Sequence, residues 1–271
     1  MNRKYIYPIV IILVTVALYY ADDFSAKDEK AAPQTSNAIN RNSEVFDDFF
    51  LPSSTTGVII AHNFFTLSYS ETHEQAEWVA YKLSDKNLVK NDFDRPYFIE
   101  DKSVKTKSAD WRNYKNSGYD RGHLCPAADR GFSYDAYKET FLTSNISPQN
   151  HEFNAGIWNR LEQKVRFWAE KYEGVYVVTG GVLQGDMKAI GYENVSVPNT
   201  FYKIVMDVAD GEYKTIAFLI PNKNVSGSYY NYVVSIDEIE AKTGIDFFPN
   251  LPDAIENDLE KKVHLKAWGR K

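Results

Sequence analysis

Residues 151–172, HEFNAGIWNRLEQKVRFWAEKY, carry apolar side chains at three- and four-residue spacing over six turns. Phe153, Ile157, Leu161, Val165, Trp168 and Tyr172 fall on one helical face, so the segment predicts an amphipathic helix that must lie against an apolar surface. The segments around it are of another kind. GVIIAHNFFTLSYS and AEWVAYKLS upstream, and VYVVTGGVL, NTFYKIVMDV and YKTIAFLIPN downstream, alternate or run apolar with β-branched and aromatic residues, as paired strands do. A shorter helix is predicted over SIDEIEAKTG, opened by Ser235 with Glu238 three residues later and closed near Gly244. The order of elements predicts an α+β fold, a central and largely antiparallel sheet flanked by helices.

The pattern runs from about residue 56 to the C-terminus without internal repeat or low-complexity break, which predicts one domain over residues 56–271. With 44% hydrophobic and 15% aromatic residues, the chain has enough apolar material for a sizeable core. Residues 22–55 lack sustained apolar periodicity and are rich in Ser, Asn, Asp and Ala. They predict a flexible linker whose FDDFFLP stretch docks on the domain. Ahead of the linker, Arg3 and Lys4 precede the apolar run YIYPIVIILVTVALYYA, which Asp22 and Asp23 stop. Residues 1–21 therefore read as an export signal or a single membrane anchor. Tyr19 weakens the small-residue cleavage pattern and tips the balance towards an uncleaved anchor. Basic residues hold the N-terminus inside, so the domain is expected to be exported, periplasmic or extracellular, and tethered to the inner membrane if the segment stays attached.

Net charge is −6, which argues against a generally basic, polyanion-binding surface but leaves room for a local one. Cys125 is the single cysteine, so an intrachain disulfide is impossible and a disulfide-stapled scaffold is excluded. In LCPAA it reads as a small packed residue rather than a nucleophile. No G-x-S-x-G occurs for a serine esterase, TGGVLQG is too weak for a phosphate-cradling loop, and HEFN fails as a zinc-protease helix because Ala155 stands where a second histidine is required.

The segment GYDRGHLCPAADR, residues 118–130, sets His123 among charges, with Asp120 and Arg121 within three residues. On the predicted long helix, Asn154 lies in the first turn, Glu162 two turns later and Arg166 four residues after that. Taken singly, Glu162 and Arg166 read as a surface i, i+4 pair and Asn154 as a helix cap. The ordered pair YDRGHLCPAAD and SNISPQNHEFNAGIWNRLE resembles the DNA/RNA non-specific endonuclease family, which includes secreted bacterial sugar-non-specific nucleases and mitochondrial endonuclease G. WVAYKL before the motif and VPNTFYKIV after it extend the resemblance over roughly residues 56 to 250.

That resemblance implies a central antiparallel sheet with a ββα-metal (His-Me) finger, and a Mg²⁺-dependent, sequence-non-specific endonuclease acting on the DNA and RNA backbone. Mn²⁺ is the alternative ion. By position, His123 matches the general base, Asn154 the single protein ligand to the metal, and Arg121 the motif arginine near the phosphate. Glu162 matches the helix glutamate that holds metal-bound waters, Arg166 the basic residue a turn later, and Arg95, in DRPYFIED, an upstream arginine that contacts the phosphate. Cys125 departs from the alanine common there, a small-for-small exchange.

The residue types suit the chemistry independently. Phosphodiester hydrolysis needs a base for the attacking water, and a histidine with a pKa of about 6.5 serves at neutral pH. Mg²⁺ keeps most of its waters, so one neutral asparagine can suffice as its direct ligand. Arginine offers phosphate a fixed fork of donors. From Lys102 to Lys115 the chain carries Lys102, Lys105, Lys107, Arg112 and Lys115 against Asp110 alone, a local excess of four positive charges interleaved with Trp111 and Tyr114. Lys107 and Arg112 are thus candidates for a backbone grip indifferent to base sequence. The rival reading is a catalytically inactive, membrane-tethered nucleic-acid-binding protein of the same fold, against which the complete His, Asn and Glu set argues.

Overall fold

The computed structural model describes residues 47–263 and 265–269; the apolar segment over residues 1–21 and most of the 22–55 stretch lie outside them. Among the described residues no helix is long and apolar enough to cross a membrane.

The strand-like segments of the sequence become strands in order. GVIIAHNFFTLSYS supplies β1 (Ile59–Ala61) and β2 (Thr66–Ser70), and AEWVAYKLS supplies β3 (Gln75–Leu83). Two short strands follow, β4 (Asp120–His123) and β5 (Ile146–Gln149), with helix α1 (Tyr134–Glu139) between them. Helix α2 (Asn159–Lys171) leads to β6 (Val175–Gly181), the small hairpin of β7 (Lys188–Ile190) and β8 (Val195–Val197), then β9 (Thr200–Ala209) and β10 (Glu212–Pro221). The chain ends in β11 (Val233–Val234), α3 (Ile236–Thr243) and α4 (Asp253–Lys261).

Seven strands form one sheet in the order β1-β2-β3-β6-β9-β10-β11, and each neighbouring pair is antiparallel. The β9–β10 hairpin turns on Asp210 and Gly211, both at positive φ (53° and 82°), the geometry that matches a two-residue turn to the strand twist. All nine residues of β3 and all seven of β6 are buried, which explains why VYVVTGG reads as a continuous apolar run rather than an alternating one.

Helix α2 covers one face of the sheet: Leu161, Val165 and Trp168 share a core with Tyr81, Val177, Phe201 and Val205. On the opposite face Tyr202 meets Phe247 edge-on at 5.6 Å between ring centroids, and Phe50 meets Tyr176 at 5.0 Å. Phe50 is fully buried, and the Ser53 N–H donates to the Asp246 carbonyl at 2.8 Å. The described part of FDDFFLP, Asp47–Pro52, therefore docks through Phe50, and packed residues begin upstream of residue 56. Helix α3 has the ends read from sequence, with Ser235 Oγ accepting from the Glu238 N–H at 3.2 Å and Gly244 at φ 73°.

The long helix departs from expectation. Residues 151–172 are not one continuous α-helix: Phe153–Trp158 form a π-helical stretch before α2 begins. Gly156 leaves helical geometry (φ −97°, ψ −106°), and the Asn159 N–H turns back to the carbonyls of Asn154 and Gly156. Such π-bulges cluster at functional sites because they re-aim one side chain without ending the helix. Here the stretch contains Asn154.

Candidate active site

Strands β4 and β5 pair antiparallel, with Asp120 opposite Gln149 and His123 opposite Ile146. Alternation along β4 sends Arg121 and His123 to one side and Asp120 and Gly122 to the other. Gly122 has a steric reason: a Cβ there would lie 2.2 Å from the side chain of the buried Gln149. The hairpin, followed by the helical segment that bears Asn154, is the ββα arrangement expected from the motif.

Phe98 and Phe141 gather the side of β4 that carries His123. The Arg121 guanidinium sits 4.9 Å from the Phe98 ring centroid, and that of Arg95 sits 5.7 Å from Phe98 and 5.6 Å from Phe141. The His123 ring lies 5.6 Å from Phe98 and 5.0 Å from Phe141. Stacking on rings holds two guanidinium groups beside an imidazole, and among the described residues neither has a carboxylate in an ion pair. Burial, and then the positive charge of Arg95, push the His123 pKa down to about 3. His123 is accordingly neutral at physiological pH, and its Nε2 is buried without a hydrogen-bond partner among the described residues.

At the start of β4, Asn154 Nδ2 donates to Asp120 Oδ2 at 2.9 Å, and His151 Nδ1 lies 3.0 Å from the same oxygen. Asp120 thereby commits the amide nitrogen and leaves the Asn154 carbonyl oxygen for a cation. An all-oxygen donor set of one amide carbonyl beside a carboxylate fits a hard divalent ion that retains water, as Mg²⁺ does. Arg95, Trp111, Lys115, Asp120, Arg121 and Asn154 line one open cleft of about 570 Å³.

Glu162 and Arg166, both half-buried, belong to a second polar cluster with the buried Asp129 and Lys203. Arg166 Nη1 binds Asp129 Oδ1 at 2.7 Å, and the Tyr81 hydroxyl donates to Asp129 Oδ2 at 3.1 Å. Burial raises the Glu162 pKa, and Lys203 is the strongest of the charges that pull it back. Lys203 is itself fully buried on β9, its Nζ 4.7 Å from the Trp158 ring centroid, and burial lowers its pKa. Arg166 is thus occupied by a carboxylate, unlike Arg95 and Arg121.

The basic run distributes unevenly. Lys107 pairs with Glu100 at 3.6 Å, and Arg112 pairs with Asp110 while stacking 5.2 Å from Trp111. Lys115 is the member of the run that lines the cleft with Arg95 and Arg121. Cys125 is buried, donates its N–H to Asn145 Oδ1 at 2.8 Å, and has its thiol pushed up to about 12 by burial, which makes it inert. Sequence reasoning named Asp120 only as a charge near His123 and gave it no role, although it opens the DRGH tetrapeptide. It also overlooked Phe98, three residues after Arg95, and Lys203, whose signal was a lone cation in the apolar strand NTFYKIVMDV.

Residues 42–254 match the family described as DNA/RNA non-specific endonuclease. The chain is 34% identical over 252 residues to the mitochondrial nuclease EXOG of zebrafish (Danio rerio), an alignment covering 85% of this chain and 71% of that protein. It is 35% identical over 204 residues to the human (Homo sapiens) mitochondrial nuclease EXOG, covering 68% of this chain but 55% of the human protein. The fold is similar to that in a crystal structure of an EndoG/EndoGI complex described as showing the mechanism of EndoG inhibition, with a TM-score of 0.68, 29% identity, and coverage of 73% of this chain and 88% of the other.

Proposed function

Because this chain belongs to the DNA/RNA non-specific endonuclease family, we propose that it is a Mg²⁺-dependent endonuclease that hydrolyses DNA and RNA phosphodiester bonds irrespective of sequence. The observation that carries the reading is the amide of Asn154, held by Asp120 at 2.9 Å in a cleft that also receives Arg95 and Arg121. Asn154 would be the direct ligand of the ion, with Glu162 reaching it through water. When bound, the ion supplies positive charge at the phosphate and at the leaving oxygen.

The chain's own residues do the rest. Arg121 and Arg95 meet the non-bridging phosphate oxygens, and with no carboxylate partner among the described residues both forks are available. His123, neutral because burial and Arg95 hold its pKa near 3, accepts a proton from the attacking water. An anionic phosphate entering the cleft offsets the charge of Arg95, the smaller of the two causes, and so restores part of the ring's basicity. Asp129 holds Arg166, and with Lys203 these charges flank Glu162 and keep it from being a lone buried acid. Contacts to phosphate and not to base edges make cleavage indifferent to sequence.

The test is incubation of the protein with supercoiled plasmid or single-stranded RNA, in Mg²⁺ or in EDTA. Both substrates should be degraded in Mg²⁺ and spared in EDTA. Binding without cleavage would make the protein an inactive relative, and cleavage at one fixed sequence would remove the non-specific reading. Residues 1–21 are proposed to export the domain, on the strength of Arg3, Lys4 and the apolar run that follows. Protease added to intact spheroplasts should then digest it, whereas protection until lysis would place it inside.

A further inference from the structure

We propose that Asp237, Glu240, Asp246, Glu256 and Glu260 form a second cation site, separate from Asn154, that takes a Ca²⁺-like hard divalent ion and clamps the two C-terminal helices together. Asp237 and Glu240 lie one turn apart on α3, Glu256 and Glu260 one turn apart on α4, and Asp246 lies on the connection between the helices. Carboxylate oxygens of Asp237, Glu240 and Glu260 all come within 4.8 Å of one another, as do those of Asp246, Glu256 and Glu260. Glu260 joins the two triads.

Clustered acids alone would be an ordinary solvated patch. Glu260 is different: it is 8% exposed, and its Oε1 is buried with no hydrogen-bond partner among the described residues. A buried carboxylate oxygen without a donor is costly, and natural folds rarely leave one so. None of the five carboxylates forms an ion pair with Lys or Arg among the described residues.

The geometry favours a metal ion. Ca²⁺ sits about 2.3–2.6 Å from its oxygen ligands in flexible polyhedra, so three oxygens within 4.8 Å of one another can share one ion. The ligands are all carboxylates and none is sulfur or nitrogen, which excludes a preference for zinc or copper. The Glu240 carboxylate is already held, accepting from the Phe247 N–H at 2.8 Å. Helix α4 is tied to the sheet where the Thr215 hydroxyl donates to the Leu259 carbonyl at 3.2 Å, one residue before Glu260. An ion here would couple α3, α4 and β10 into one unit.

The experiment is calcium titration of the full chain, by calorimetry and by thermal unfolding, comparing the wild type with Glu260→Gln and Asn154→Ala. The expected result is one Ca²⁺ bound per chain with a raised Tm, retained in Asn154→Ala and weakened at least tenfold in Glu260→Gln. If Glu260→Gln does not fold, the pair Asp246→Asn and Glu256→Gln, on the more exposed side, should show the same weakening. No calcium-dependent rise in Tm in the wild type, or its loss in Asn154→Ala, would overturn the proposal. So would undiminished binding in the carboxylate variants. Neither failure bears on plasmid cleavage in Mg²⁺, which tests the catalytic site.

Discussion

Asp120 accepts a hydrogen bond from the side-chain amide of Asn154, Nδ2 to Oδ2 at 2.9 Å, across 34 residues of sequence. An unrestrained asparagine amide can present either nitrogen or oxygen to a cleft, and only the oxygen can bind a cation. Asp120 removes that ambiguity and adds a negative charge beside the ligand. Asp120→Ala should therefore raise the Mg²⁺ concentration for half-maximal cleavage by about 10- to 100-fold, the usual cost of losing the group that orients a metal ligand. The rate at saturating Mg²⁺ should fall less. A magnesium requirement unchanged in Asp120→Ala would mean that Asn154 needs no orienting partner.

His123 makes stability depend on pH. Its pKa is held near 3 in the fold, against about 6.5 when the chain is unfolded. Between these values the unfolded chain binds a proton that the folded one refuses, so stability is lost as pH falls from about 6.5 towards 3. Replacing the histidine removes that contribution. The Tm of the wild type should drop more between pH 7.5 and pH 5 than the Tm of His123→Ala; parallel curves would show that the ring is not buried neutral in solution.

The basic residues should separate by position. Arg121→Ala should weaken nucleic-acid binding and slow cleavage, since its guanidinium is stacked in the cleft with no carboxylate partner among the described residues. Lys115→Ala should flatten the slope of log K against log salt by about 0.9 on duplex DNA, one phosphate contact's worth. Lys107→Ala and Arg112→Ala should change it less, because each cation already has an acidic neighbour. Equal effects from all three would show that the ion pairs with Glu100 and Asp110 open when nucleic acid binds.

The sheet was legible in the sequence because its central strands are long and apolar on both faces, and the cap and stop of α3 because Ser235 and Gly244 act locally. The DRGH tetrapeptide and the asparagine thirty-odd residues on were legible as residue types in order. Less was visible where contacts are distant or irregular. A four-residue strand carrying Asp, Arg, Gly and His shows no alternation of hydrophobicity, so β4 was hidden. The π-helical stretch was hidden because the apolar spacing from Phe153 to Ile157 is unaffected by it. Lys203 looked like the polar member of a half-buried strand, and only the packing of α2 over β9 places it, fully buried, near Glu162. Phe50 belonged to a stretch too polar on average to read as domain, yet one ring fills a gap beside Tyr176.

The most direct test of the mechanism is the rate of plasmid cleavage measured against Mg²⁺ concentration for the wild type, His123→Ala and Asn154→Ala. If His123 is the base, its loss should lower the rate about 10²- to 10⁴-fold at every Mg²⁺ concentration, with nucleic-acid affinity nearly intact. If Asn154 is the metal ligand, its loss should shift the curve to higher Mg²⁺, so that excess ion restores part of the rate. Equal recovery of both variants by Mg²⁺ would contradict the account, because His123 would then be binding the metal rather than accepting the proton.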